Sequence, residues 1–135
     1  MITEVFVICD AANDSHGKLN ILGAFDTIVA AEFPFVHPHC TIALRLRYDS
    51  ASVREHAIKL DLQGASGAPL LASIDTVMKS GVSPNATATA NLIVNINSLR
   101  FEKPGDYSFV LKVDGLPTAV TPLYIRATQP GGTVQ

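Results

Sequence analysis

Two histidines and a cysteine fall within four positions in the stretch FVHPHCTIALRLRYD, residues 35–49. Imidazole and thiolate groups are the side chains that hold zinc and other borderline-soft ions, so His37, His39 and Cys40 are the first candidates for chemistry. Pro38 restricts His37 to an extended conformation. In a continuing strand His37 and His39 then project from one face and Cys40 from the other, so the three cannot share one ion without a break in the strand. A His-x-His pair supplies two ligands where zinc takes a third and usually a fourth, and the sequence places neither His16 nor His56 nearby. The reading is therefore a strand entry with two part-exposed histidines, with no metal and no cofactor assigned. A small-molecule or metal-binding site, and with it a metal-dependent enzyme, is the alternative; it would use His37 and His39 with Asp10 or Asp26 taking part.

Other reactive residue types have plain structural readings. Gly64-Ala65-Ser66-Gly67-Ala68 resembles a nucleophile elbow, but its last glycine is replaced and its flanks alternate as strands, where the elbow needs a helix to follow. Ser66 is thus expected in a turn. Asp10 with Asp14, or Asp106 with Asp114, could contribute to a calcium site on loops. They lack the dense Asp and Asn alternation of a calcium loop and read as turn formers. Arg45 and Arg47 point the same way and could grip a carboxylate or phosphate; a solvated strand face with cross-strand partners such as Asp61 is the expectation. No catalytic residue is assigned. The absence of Trp, with only three Tyr, weakens a carbohydrate-stacking surface.

The elements that would position these groups are strands. Ile42, Leu44, Leu46 and Tyr48 alternate with Ala43, Arg45, Arg47 and Asp49, the period of a strand with one buried face, and Cys40 falls in phase with the buried set. The same period runs through Ile58, Leu60 and Leu62, through Leu92, Val94 and Ile96, and through Tyr107, Phe109, Leu111 and Val113. Turn signals separate the runs, among them Asn13 to Gly17, Ser83-Pro84-Asn85 and Asp114-Gly115. No helical stripe interrupts them. About eight strands at this spacing predict an all-β fold, an antiparallel β-sandwich of immunoglobulin-like type. Asp114-Gly115 predicts a hairpin, with Leu116-Pro117 lengthening its loop beyond two residues. Pro122 marks an edge or a bulge, and the Gly105-x-Tyr107 step predicts a tyrosine hydroxyl bonded back to the backbone.

A chain of 135 residues fits one domain, set at residues 1–127 with a loose tail at 128–135. The opening MITEVFVICD lacks a basic n-region and reads as a first strand and not a signal peptide; no apolar run reaches the roughly 18 residues of a membrane helix. The expectation is a cytoplasmic protein that engages no membrane, with Cys9 and Cys40 as buried free thiols. A net charge of −2 without a basic run argues against nucleic acid as a partner. In the first two strands both faces are apolar: Val5, Val7 and Cys9 oppose Phe6 and Ile8, and Leu19, Ile21, Phe25 and Val29 oppose Leu22, Ala24, Ile28 and Ala30. A second apolar face must be covered, by the Glu32 to His39 loop or by another chain, and the low charged content of 16% favours a homo-oligomer, a dimer first.

The runs EVFVICDAANDSHGKLNILGAFDTI, FPFVHPHCTIALRLRYD and LRFEKPGDYSFVLKVDG resemble an uncharacterised bacterial protein family, a domain of unknown function of about this length. Cys9-Asp10-Ala11-Ala12, Gly17 to Asp26, His37-Pro38 and Phe101 to Gly105 carry the resemblance. It implies membership over nearly the whole chain to about residue 127 and implies no activity, cofactor, catalytic residue or named partner. The expected role is a non-catalytic cytosolic binding or assembly module.

Overall fold

The computed structural model describes residues 1–51, 55–65, 73–79 and 83–128. Among these the alternating runs become nine strands and no helix: β1 (Ile2–Ser15), β2 (Lys18–Phe25), β3 (Thr27–Ala30), β4 (Phe35–Asp49), β5 (Glu55–Gln63), β6 (Ile74–Lys79), β7 (Thr87–Phe101), β8 (Gly105–Val113) and β9 (Leu116–Ala127). They form two sheets, ordered β2-β1-β4-β7 and β3-β9-β8-β5-β6. The expected antiparallel pairing holds between all neighbours except β3 and β9, which run parallel over Thr27–Ala30. Only Asp26 separates β2 from β3, too short a link to reverse the chain. The turn expected at Ser66 and the tail beyond Thr128 lie outside the described residues.

The main core lies between the sheets. Cys40, Ile42, Leu44 and Leu46 of β4 join Ile58, Leu60 and Leu62 of β5 and Tyr107, Phe109, Leu111 and Val113 of β8 in one buried cluster, as their period of two requires. Each large side chain so buried contributes about 1.5–3 kcal/mol. Asp61 departs from its expected exposed place. It is buried, and its carboxylate accepts from Ser73 and lies 3.8 Å from Lys112 Nζ, an arrangement that supplies the partners a buried charge needs.

The first sheet has a second, smaller core on its other side. Thr41 and Ala43 point away from the main core yet have no exposed surface, and Cys9 beside them has none either. The β1–β2 hairpin is the cover. Its distal half extends past the last residue that β1 pairs with β4, Cys9, and bends back over β4 and β7. There Asn91 Nδ2 donates to Asp14 Oδ2 at 3.0 Å and to the Gly17 carbonyl at 3.2 Å. The sheet is thereby curled into a half-barrel. Part of the second apolar face is thus covered by the chain's own hairpin, while the Glu32 to His39 segment, which from Phe35 onward is itself β4, sets the His37 ring against Phe25 of β2.

Turn chemistry follows the residues. The two central positions of the β1–β2 turn, His16 and Gly17, and of the β8–β9 turn, Asp114 and Gly115, all have positive φ, between 52° and 82°. This is the mirror-image turn that matches strand twist. The β8–β9 loop is therefore two residues long, shorter than Leu116-Pro117 suggested. The extra residue appears as a bulge, since Lys112 pairs with Pro117 and Leu111 with Ala119, leaving Thr118 unpaired. Pro122 lies before the stretch of β9 that β3 covers, so its missing N–H costs that ladder nothing.

Candidate functional site

His37 and His39 do not share a face. His37 pairs with Leu99, which packs in the main core, and its ring lies 5.9 Å from Phe25 and 6.2 Å from Phe35. His39 pairs with Asn97 on the other side, with Nδ1 2.8 Å from Asn97 Oδ1 and Nε2 3.4 Å from Thr41 Oγ1. The alternation slips once between them. Ile96 and Leu99 both enter the core although they are three positions apart, and Ser98 between them has φ 57°. Burial lowers the His37 pKa, an effect opposed by a hydrogen bond to the His39 backbone and by the nearby Asp10 carboxylate. Cys40 is buried in the core beside them, as its phase required.

The acidic candidates are likewise dispersed. Asp14 is held by Asn91 and by the Gly17 N–H at 2.8 Å; Asp26 accepts from Thr27 Oγ1 at 2.7 Å; Asp106 pairs with Arg126 at 2.7 Å. Among the described residues no group of three or more His, Cys, Asp or Glu side chains converges as a metal-ligand set.

Arg45 and Arg47 do share a face, and their partner is Glu4 on β1, where Asp61 had been expected. Arg45 Nε donates to Glu4 Oε1 at 3.0 Å and Arg47 Nε to Glu4 Oε2 at 2.6 Å, so one carboxylate spans both guanidinium groups. Asp61 belongs to the other sheet and could not reach them. The slip between Thr3 and Val5 in the β1–β4 ladder accompanies this placement of Glu4. Arg45 also donates to Asn91 at 3.0 Å and Arg47 to Thr87 at 2.9 Å. Arg45, Arg47 and Thr87 line a polar recess of about 340 Å³ together with Tyr48, Ser83 and Asn85.

Tyr48 also lines a larger cavity of about 570 Å³ with His56, Asp114, Asp49 and the apolar side chains of Val113 and Leu116. Here the fold makes a pair that sequence reasoning missed. His56 Nδ1 lies 2.8 Å from Asp114 Oδ2, while Asp114 Oδ1 accepts the Ala57 N–H at 2.9 Å. The left-handed Asp114 at the β8–β9 turn pairs its N–H with the Ala57 carbonyl at 2.8 Å, which fixes the turn against β5. The His56 bond, followed by the Ala57 N–H, holds the Asp114 carboxyl below the usual carboxylate range. His56 Nε2 is buried and has no hydrogen-bond partner. The His56 imidazole thus holds the Asp114 carboxylate in place at the cavity wall. The two residues are 58 positions apart, and no local pattern announces them.

The comparisons with known proteins bring no activity to this geometry. No curated protein matches the sequence. Among solved structures, the Pseudomonas fluorescens alkylpurine DNA glycosylase AlkC bound to DNA containing an abasic site analog is similar at a TM-score of 0.47 and 12% identity. That match covers 76% of this chain and 28% of that one. The family model described as "Family of unknown function (DUF6941)" matches residues 4–126. Among the described residues no helix is long and apolar enough to cross a membrane.

Proposed function

We propose, for a chain that belongs to the DUF6941 family of unknown function, a non-catalytic binding module whose ligand site is the cavity between Tyr48, His56 and Asp114. The observation that carries this reading is the cavity of about 570 Å³ itself, with the hydrogen-bonded His56–Asp114 pair in its wall. That volume is in the range that takes a small molecule, and the wall has the usual composition of a binding site, apolar side chains with a few placed polar groups. The ligand has an apolar body and a hydrogen-bond-donating head, since Asp49 and Asp114 supply the negative charge and, among the described residues, no Lys or Arg lines the wall. Two further parts of the proposal are the compartment and the fold type. Free thiols at Cys9 and Cys40 fit the cytoplasm. An immunoglobulin-like sandwich is favoured by β3 running parallel beside the last strand and by the Tyr107 hydroxyl donating to the Lys103 carbonyl at 2.6 Å.

Ligand-observed NMR with benzylamine, benzyl alcohol and benzoate at millimolar concentration tests the site. The amine and the alcohol bind and benzoate does not; Leu116→Trp, which fills the mouth, abolishes binding. No binding by any of the three, or binding that survives Leu116→Trp, sinks the proposal.

A further inference from the structure

The edge of the first sheet carries an interaction surface of a specific kind. Among the described residues β7 pairs only with β4, which leaves the other side of a 15-residue strand without a ladder. An unpaired edge is a row of backbone donors and acceptors that another strand can complete. Proteins usually protect such edges with charge, proline or shortness, and the other edges here do. β6 carries Asp75 and Lys79, β3 has four residues, and β2 opens on Lys18 and holds a glycine at positive φ. From Thr87 to Leu99 β7 has no charged residue and no proline. Its burial is unfinished as well. Ile42 and Leu44 on β4 are fully buried, while their partners Val94 and Leu92 are only half-buried, as is every residue from Ala88 to Val94.

We infer that two copies of this chain pair antiparallel through β7, about a two-fold axis at Ile93, into one continuous eight-stranded sheet. The occupant is a second copy because the strand is complementary to itself. With Ile93 on the axis, Asn91 faces the second copy's Asn95, Thr89 its Asn97, Leu92 its Val94 and Ala90 its Ile96. From Thr89 to Asn97 every polar side chain thus meets a polar one and every apolar side chain an apolar one. Directly opposed pairs of this kind stabilise a sheet, and the absence of charge removes the like-charge repulsion that would otherwise oppose self-pairing. Two-fold pairing through the same patch is also the commonest form of homo-oligomer. The surface is separate from the His56 cavity, so the two proposals stand or fall independently.

The test joins light scattering to a cross-link at the axis. At micromolar concentration the parent elutes with the mass of two chains. Ile93→Cys, treated with oxidised glutathione, forms a disulfide-linked dimer, because paired positions across a two-fold strand pair fall within the Cα separation a disulfide spans; the buried Cys9 and Cys40 do not compete. Ile93→Lys places two ammonium groups together and elutes as one chain with its circular dichroism unchanged. If Ile93→Lys fails to fold, the cysteine variant decides alone. A parent mass of one chain, or a mass of two chains without cross-linking of Ile93→Cys, overturns the inference.

Discussion

Asn91 on β7 holds Asp14 at the tip of the β1–β2 hairpin across 77 positions of sequence, at 3.0 Å. The same amide side chain accepts from Arg45 at 3.0 Å, so one neutral residue links the hairpin tip to the charged ladder beneath it. This bond is the main reason that the Asp14 pKa is lowered, ahead of the Gly17 N–H.

A depressed carboxylate contributes stability that is present above the unfolded pKa, about 3.9 for Asp, and is lost as pH falls through the lower folded value. Asp14→Asn is therefore less stable than the parent at neutral pH. The deficit shrinks and disappears as the pH is taken below the folded value. Urea denaturation between about pH 2 and 7 checks this; a deficit independent of pH would show that the charge of Asp14 plays no part.

Tyr107 donates to the Lys103 carbonyl at 2.6 Å and sets its ring edge-on to Phe101 at 5.1 Å. Tyr107→Phe keeps the ring contact and removes the hydrogen bond, so it costs about 1 kcal/mol in a denaturant titration. A variant as stable as the parent would mean that solvent replaces the bond without loss.

Cys9 and Cys40 have essentially no exposed surface. Burial raises both thiol pKa values, that of Cys40 to about 11. Only the thiolate reacts at a useful rate, so both cysteines label slowly with a maleimide at neutral pH and rapidly in urea. Fast labelling of either in the native protein contradicts its placement.

Gly23 combines φ +68° with the Asp10 carboxylate packed where a Cβ would stand. Gly23→Ala incurs the left-handed penalty of about 1–2 kcal/mol and in addition pushes Asp10 aside. Gly17, also left-handed but with nothing within 4 Å, suffers the conformational term alone. Thermal melts of the two alanine variants should rank Gly23→Ala below Gly17→Ala.

The sequence makes the main core legible because a strand with one wet face writes its orientation as alternation. Ile42, Leu44 and Leu46, and Tyr107, Phe109, Leu111 and Val113, are buried as read. It conceals whatever alternation does not encode. Ala43 reads as an outward residue and is buried, as is Thr41 on the same face, because the hairpin that covers them returns from a distant part of the chain. His37 and His39 separate where Ser98, a residue with no special turn signature, adopts positive φ and the inward-outward alternation slips while the pairing register is kept. Of the candidate site, Asp114 was visible as a turn former. Its partner His56 was not, since the pairing depends on how β5 lies beside the β8–β9 turn.

The curled hairpin has a practical meaning for anyone who labels or extends this protein. The His16-Gly17 tip looks like the natural place for an inserted tag, being a solvent-exposed two-residue turn. It is instead a clasp. An insertion there draws Asp14 and Gly17 off Asn91 and lets water reach Cys9, Thr41 and Ala43, so a tag meant to be silent would open the half-barrel. The Asp114-Gly115 turn serves no better, since it anchors His56.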